Sequence, residues 1–337
     1  MSSIIGWDVG GVNIKAARLA AGAPVRTVSE PFELQRAPDR LAPTLAAIAA
    51  TLGAAPADRH AVTMTAELSQ FFRTKREGVD FVLCALETVF GTDRLHVFGT
   101  DGTFHSADAA RRDPLRVAAG NWMATATLVA RSVPTCLLLD VGSTTTDVVP
   151  IVDGAVAARG RTDPERLASS ELLYTGALRT PAEAVAHHVP FRGASTGVSA
   201  EGFANMGDVH LWLGALTPED YTIPPPDGRP ATRAFAGERL ARVVCGDREM
   251  LAEAEVDAIA RALAEAQVAA VADAIRRVAG RHPQIGAAVV TGLGDFVAAA
   301  AARRAGLEVV RLAGRLGDGP ARTAPAAAVA ILLGQAT

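Results

Sequence analysis

Ile4-Ile5-Gly6-Trp7-Asp8-Val9-Gly10-Gly11 and Leu137-Leu138-Leu139-Asp140-Val141-Gly142-Ser143-Thr144 are the two stretches that decide how this chain folds. In each, an apolar run ends in Asp-Val-Gly, crosses small or hydroxyl residues, and resumes as a second apolar run, over 14–19 in the first copy and 148–152 in the second. The pattern predicts a β-hairpin with a tight acidic turn in both places. Glycine lets the backbone approach a ligand closely and leaves N–H groups pointing outward, as a polyphosphate requires of a loop. The aspartate suits Mg²⁺ on a phosphate chain, which takes one or two carboxylate oxygens and fills its shell with water. A constant offset pairs Asp8 with Asp140 and Lys15 with Asp147, so the chain reads as a duplication. The two hairpins are expected to face each other across a cleft with a metal polyphosphate between them.

Length and composition agree with that reading. At 337 residues the chain exceeds what one hydrophobic core usually serves, which predicts two domains. Hydrophobic residues at 49% and charged residues at 20% suffice for packed cores and argue against long disorder. A formal net charge of -3 offers no footprint for nucleic acid or an anionic membrane. Cys84, Cys136 and Cys245 lack CxxC or Cys–His spacing and fit reduced thiols, not a disulfide framework or a zinc site. Cys245 reads as a small buried side chain. The amino terminus runs straight into a strand and no apolar stretch is clean enough to span a bilayer, so a cytoplasmic location is expected.

Along the chain, strands alternate with helices. A third strand is expected over 24–34, a helix over 41–52, a strand over 60–65, a helix over 78–90 closed by Gly91, a short strand over 95–98 and an apolar helix over 122–130. Such alternation implies a parallel or mixed sheet covered on its faces. From 153 to 236 the chain turns loop-rich, and 217–232, with Pro224-Pro225-Pro226-Asp227-Gly228, reads as a linker or surface excursion. Helices resume over 237–244 and 253–279. A strand over 286–291 then meets Gly292-Leu293-Gly294, a helix over 295–304 and a last helix over 324–333. The domains therefore read as 1–120 and 121–337, the second carrying the insertion 153–236 and a final helix that packs back on the first.

The glycine turn within Val289-Val290-Thr291-Gly292-Leu293-Gly294-Asp295 joins a buried strand to a helix amino terminus, a position that favours an anion or nucleotide. Alone it serves equally as a sharp turn. Together with both hairpins it resembles the actin-like ATPase superfamily of sugar kinases, actin and heat-shock chaperones. Asp8-Val9-Gly10-Gly11-Val12-Asn13-Ile14-Lys15 is similar to the first phosphate motif, 140–147 to the second, and 291–294 to the adenosine motif. The resemblance implies an α/β, two-domain, ribonuclease H-like duplicated fold with a central cleft. More narrowly, Thr63-Met64-Thr65-Ala66-Glu67-Leu68, Thr74-Lys75-Arg76-Glu77-Gly78-Val79, Glu171-Leu172-Leu173-Tyr174-Thr175-Gly176 and Arg179-Thr180-Pro181 resemble the hydantoinase/oxoprolinase family. Within it, the short chain and Phe203-Ala204-Asn205-Met206-Gly207-Asp208-Val209 look like the tetrahydromethanopterin-linked C1-transfer pathway proteins, over nearly the whole length.

That subfamily includes a methanofuran-forming enzyme of methanogens. The resemblance implies a transferase that joins a furan-methyl diphosphate to the phenol oxygen of a glutamyl-tyramine or tyrosine and releases diphosphate. Asp8 and Asp140 would hold Mg²⁺, Lys15 would meet a phosphate, and Gly10, Gly11, Asn13, Gly142, Ser143, Thr144 and Thr145 would supply donors. Thr63, Thr65, Lys75, Arg179, Thr291, Gly292 and Gly294 form the substrate or nucleotide-like set. A phenol with an ordinary pKa of about 10 must lose its proton during attack, and Asp147 and Glu67 are both candidate bases.

Each residue also has a plainer reading. The aspartates favour turns in their own right, Lys15 suits a solvated strand edge, and Arg73, Lys75, Arg76 and Arg179 suit solvated surface. Thr63, Thr65 and Glu67 can simply end a strand, and His187 and His188 read as structural. Two other functions use the same motifs: an ATP-dependent small-molecule kinase or oxoprolinase-like amidohydrolase, and a non-catalytic nucleotide-binding scaffold. Oligomeric state leaves no signal.

Overall fold

In the computed structural model, residues 3–336 are described. The chain divides into two compact units: Met1–Leu138 with Val149–Glu171 and Val310–Thr337, and Leu139–Val148 with Leu172–Val309. The division falls after Leu138 and not at residue 120, because the helix Asn121–Ala130 packs on the helix Ala324–Gln335 within the first unit.

The strands β1 (Ile4–Val9), β2 (Asn13–Leu19), β3 (Arg26–Pro31), β4 (Arg59–Met64), β5 (Leu95–Phe98) and β6 (Phe104–His105) form one sheet in the order β3-β2-β1-β4-β5-β6. The β1–β2 and β2–β3 pairs are antiparallel, and β4 and β5 run parallel to β1. All six residues of β1 are buried, as a strand covered on both faces requires. Ile5, Trp7 and Val9 share a core with Leu41, Leu45, Val79 and Val82 of the helices Leu41–Leu52 and Lys75–Phe90. Gly6 points to the other face, since side chains alternate along a strand. There the Ala-rich helix Ala324–Gln335 comes so close that a β-carbon on Gly6 would lie 2.0 Å from the Ala326 carbonyl oxygen. Small residues on both partners allow that approach.

The later strands are β7 (Cys136–Val141), β8 (Thr146–Val152), β9 (Ala155–Val156), β10 (Leu172–Leu173), β11 (His188–Phe191), β12 (Ala194–Gly197), β13 (Ala287–Thr291) and β14 (Glu308–Arg311). A second sheet runs β10-β8-β7-β13-β14, with β9 paired to β8, while β11 and β12 form a separate hairpin. Both sheets thus place a hairpin's first strand inside the sheet, its second strand and a third on one side, and later strands on the other, β4, β5 and β6 in the first sheet and β13 and β14 in the second. The duplication legible in the Asp-Val-Gly motifs extends to strand order.

Several elements differ from expectation. The helix expected over 78–90 begins at Lys75, because the Thr74 hydroxyl accepts from the Glu77 N–H and caps it. The helix expected over 237–244 is Arg233–Arg242, capped by Thr232. The loop-rich stretch carries the helices Asp163–Ala168, Ala182–Val185 and Met206–Trp212. The 217–232 excursion is not a free linker: Tyr221 is buried and Asp227 pairs with Arg239 at 3.0 Å. Cys245 is exposed at φ +58°, not buried, because it sits in the turn that ends the preceding helix. Around the 27-residue helix Glu253–Ala279, Val209, Trp212, Leu240, Val256 and Leu263 make a core of the second unit. Among the described residues, no helix is long and apolar enough to cross a membrane.

Candidate active site

Of the residues expected at the site, Asp8, Gly10, Gly11, Asn13, Lys15, Thr63, Thr65, Glu67 and Lys75 lie in the first unit. Asp140, Gly142, Ser143, Thr144, Thr145, Asp147, Arg179, Thr291, Gly292 and Gly294 lie in the second.

In the first unit the β1–β2 hairpin sets Asp8 opposite Lys15 and Val9 opposite Ile14. Its turn closes with the Gly10 N–H donating to the Asn13 carbonyl at 3.0 Å, and a β-carbon on Gly10 would sit 2.6 Å from that oxygen. Asp8 is buried, with the Lys15 ammonium 3.8 Å from its carboxylate. Phe32 and Leu34 donate backbone N–H groups to the carbonyls of Val12 and Gly11, which steadies the loop from the β3 side. On β4, Thr63 pairs with Asp8 in register; its hydroxyl is buried without a hydrogen-bond partner among the described residues.

Beyond β4 the chain makes a 3₁₀ turn, Ala66–Leu68, whose entry is held by the Thr65 N–H on the Val9 carbonyl. The Thr65 side chain makes no cap bond. Glu67 on this turn is fully buried, and among the described residues neither carboxyl oxygen has a side-chain partner at hydrogen-bond distance. Burial pushes its carboxyl up to about 7, against the pull of the nearby Lys75 ammonium. Lys75 opens the helix Lys75–Phe90 and stands 3.9 Å from Glu67 but only 2.8 Å from the carboxylate of Asp163. It is therefore an ion-paired side chain at the candidate site and not part of a solvated basic face. Asp163 is the first residue of the helix Asp163–Ala168, which Thr162 and Glu165 cap reciprocally. Sequence reasoning missed Asp163, since a helix-capping pattern carries no hint of a partner 88 residues away.

The second unit repeats the turn. The Gly142 N–H donates to the Thr145 carbonyl at 2.9 Å, the same closure as Gly10 on Asn13. The backbone of 177–179 ties this turn down: Ala177 donates to the Gly142 carbonyl at 2.8 Å, and Leu178 and Arg179 both donate to the Ser143 carbonyl. With those carbonyls engaged and the Gly142 N–H closing the turn, the half-buried residues 143–145 are left to present N–H and hydroxyl groups. The Arg179 side chain is exposed, so its backbone does the holding. Thr146 donates its hydroxyl to the Thr175 carbonyl at 2.7 Å, and Asp140 and Asp147 are buried.

The glycine turn after β13 joins this set. Gly294 donates to the Val141 carbonyl at 2.8 Å, and Gly292 adopts φ +90°. A β-carbon on Gly292 would lie 2.4 Å from an Asp140 carboxylate oxygen, so the absent side chain is what leaves that carboxylate its space. Among the described residues no group of three or more His, Cys, Asp or Glu could hold a metal ion by itself. A magnesium ion carried on a diphosphate needs only one or two carboxylates, and an Asp140 oxygen in a glycine-lined niche beside a donor-rich turn fits that demand.

The repeated strand order and paired Asp-Val-Gly hairpins define an actin-like ATPase fold. Acetone carboxylase in its nucleotide-free form superposes with a TM-score of 0.64 at 12% identity, covering 97% of this chain and 70% of that one. The ethanolamine utilization protein EutJ of Carboxydothermus hydrogenoformans superposes at 0.50 and 12% identity, covering 98% and 90%. The hydantoinase/oxoprolinase family profile matches residues 58–333, and the chain belongs to that family. A Methanocaldococcus jannaschii relative, named (4-{4-[2-(gamma-L-glutamylamino)ethyl]phenoxymethyl}furan-2-yl)methanamine synthase, is 36% identical over 295 residues, 87% of each chain. A Methanococcus vannielii protein of the same name is 38% identical over 162 residues, 48% of this chain and 72% of that one.

Proposed function

We propose that this chain is a synthase of methanofuran-type cofactor biosynthesis. It forms an aryl ether between a phenol bearing a glutamyl-aminoethyl group, or a related tyramine or tyrosine, and the methyl carbon of an aminomethyl-furan diphosphate. The 36% identity over 87% of each chain to the M. jannaschii synthase, whose name describes a phenoxymethyl-furan product, supports this reading.

The residues suit that chemistry. The phenol oxygen forms a bond to the furan-methyl carbon while the bond from that carbon to the diphosphate oxygen breaks, and the phenol proton passes to a carboxylate. A furan-methyl carbon tolerates positive charge, so the main demand is to receive the departing oxygens. In the first unit the Gly11 N–H, the Asn13 amide and the Lys15 ammonium are donors of the kind these oxygens need, and in the second unit the backbone N–H groups and hydroxyls of Ser143, Thr144 and Thr145 are of the same kind, the N–H groups of Gly10 and Gly142 being used to close their own turns. Magnesium would neutralise diphosphate charge, and the buried Asp8 of the first unit and Asp140 of the second are each a candidate carboxylate for it.

Glu67 is the base in this reading. Its carboxyl titrates near 7, close to the ideal for a group that must be ionised at neutral pH and still accept a proton from a phenol. Glu67 is closed off from water, so phenol binding has to open a path to it.

The test supplies the purified chain with an aminomethyl-furan diphosphate, γ-glutamyl-tyramine and Mg²⁺, and follows ether and diphosphate by mass spectrometry. One diphosphate per ether is expected. Turnover of ATP with no ether formed would overturn the assignment and favour an ATP-dependent enzyme.

A further inference from the structure

Lys75 stands between two carboxylates in the first unit and is shared unequally. Its ammonium makes a 2.8 Å charge-assisted hydrogen bond to Asp163 but stays 3.9 Å from Glu67, beyond hydrogen-bond reach. All three groups are shielded: Glu67 is fully buried, and the side chains of Lys75 and Asp163 are 22% and 17% exposed. Asp163 is itself held in place, as the first residue of a capped helix whose Thr162 and Glu165 bond reciprocally. Lys75 is likewise fixed, at the start of a helix capped by Thr74.

We propose that Asp163 is a positioning residue that draws the Lys75 ammonium away from Glu67 and so keeps the Glu67 carboxylate basic enough to accept the phenol proton; this rests on the reading of Glu67 as the base. A direct Lys75–Glu67 hydrogen bond would stabilise the carboxylate and weaken it as a base, because a cation in contact favours the charged form. With the lysine held at 3.9 Å, its field still steadies the ionised state without capturing a lone pair. Lys75 and Asp163 are the charged side chains that act on Glu67, from the helices Lys75–Phe90 and Asp163–Ala168. The backbone N–H groups of Glu67 and Ala119 add a lesser pull toward ionisation.

Asp163 touches no substrate in this account, so its test must read Glu67 directly. In the resting protein, ¹³C-carboxyl NMR follows the Glu67 titration in wild type, Asp163→Asn and Lys75→Met. Asp163→Asn is expected to lower the Glu67 midpoint by about one pH unit or more, the size of a new contact with a cation. Lys75→Met is expected to raise it. If the Asp163→Asn midpoint stays unchanged or rises while the protein remains folded, the proposal is overturned whatever reaction the chain performs. The acidic limb of the kcat/KM profile for ether formation should move with the NMR midpoint. A limb that ignores a shifted midpoint would leave the positioning intact and remove Glu67 from the role of base.

Discussion

A β-carbon on Gly78 would lie 2.5 Å from the Cα of Glu67 and 2.8 Å from its carbonyl oxygen. The first turn of the helix Lys75–Phe90 is thus pressed against the 3₁₀ turn Ala66–Leu68, and the absence of a side chain at 78 sets how deeply Glu67 is buried. Contact that close to backbone cannot be relieved by a rotamer change.

Gly78→Ala should therefore push the two turns apart, at a stability cost of about 1–3 kcal/mol, as for overpacking of a core. Admitting water to Glu67 should also lower its titration midpoint from about 7 toward that of an exposed glutamate. Thermal unfolding and carboxyl NMR on the same sample check both. A variant with unchanged stability and midpoint would show that the contact is not what buries the carboxyl.

Gly292→Ala places a β-carbon on an Asp140 carboxylate oxygen and forces an L-residue to φ +90°. The strain should cost on the order of 1–3 kcal/mol, and the displaced carboxylate should weaken Mg²⁺-dependent diphosphate binding at least tenfold. Calorimetry with magnesium diphosphate reads the second effect. Full affinity in this variant would remove Asp140 from the metal.

Arg239 and Asp208 form a fully buried ion pair at 2.7 Å in the second unit, and Asp208 also accepts from the Tyr221 hydroxyl and the Asn205 N–H. Arg239→Met should leave Asp208 charged and uncompensated and cost about 3–5 kcal/mol, measured by denaturant unfolding. The double variant Arg239→Met with Asp208→Leu should recover much of that. A double variant no better than the single would mean that the other partners of Asp208 carry the network.

His210, buried against Gln267, has its imidazole pushed down to about 4 by burial. The unfolded chain binds a proton there near 6.5 while the folded chain does not until about 4. This contribution to stability is present above pH 6.5 and is lost as the pH falls through that window. In His210→Asn the decline of unfolding free energy between pH 6.5 and 4 should be shallower by one proton equivalent, about 1.4 kcal/mol per pH unit at most. An identical slope would mean that His210 is protonated in the folded state.

Much of the fold could be read locally. The hairpins, the helices at Leu41–Leu52, Glu253–Ala279 and Asp295–Arg304, and the strand Leu95–Phe98 are written in runs of apolar residues and in glycines, whose effects reach only a few positions. Boundaries slipped where a cap decides them, as at Thr74 and Thr232. The exposure of Cys245 is not legible in the sequence, because a small apolar-looking residue near the end of a helix gives no sign of which way the chain leaves it.

The amino-acid sequence determined by itself that this chain is a duplicated α/β protein with two acidic glycine turns, since hairpin chemistry depends on neighbours within a few residues. Tertiary structure alone decided that Glu67 is shut away from water, that Lys75 answers to Asp163 from 88 residues off, and that Gly292 makes room for Asp140. Burial and field are created by whatever distant segments pack around a group, and no local pattern records which segments those will be.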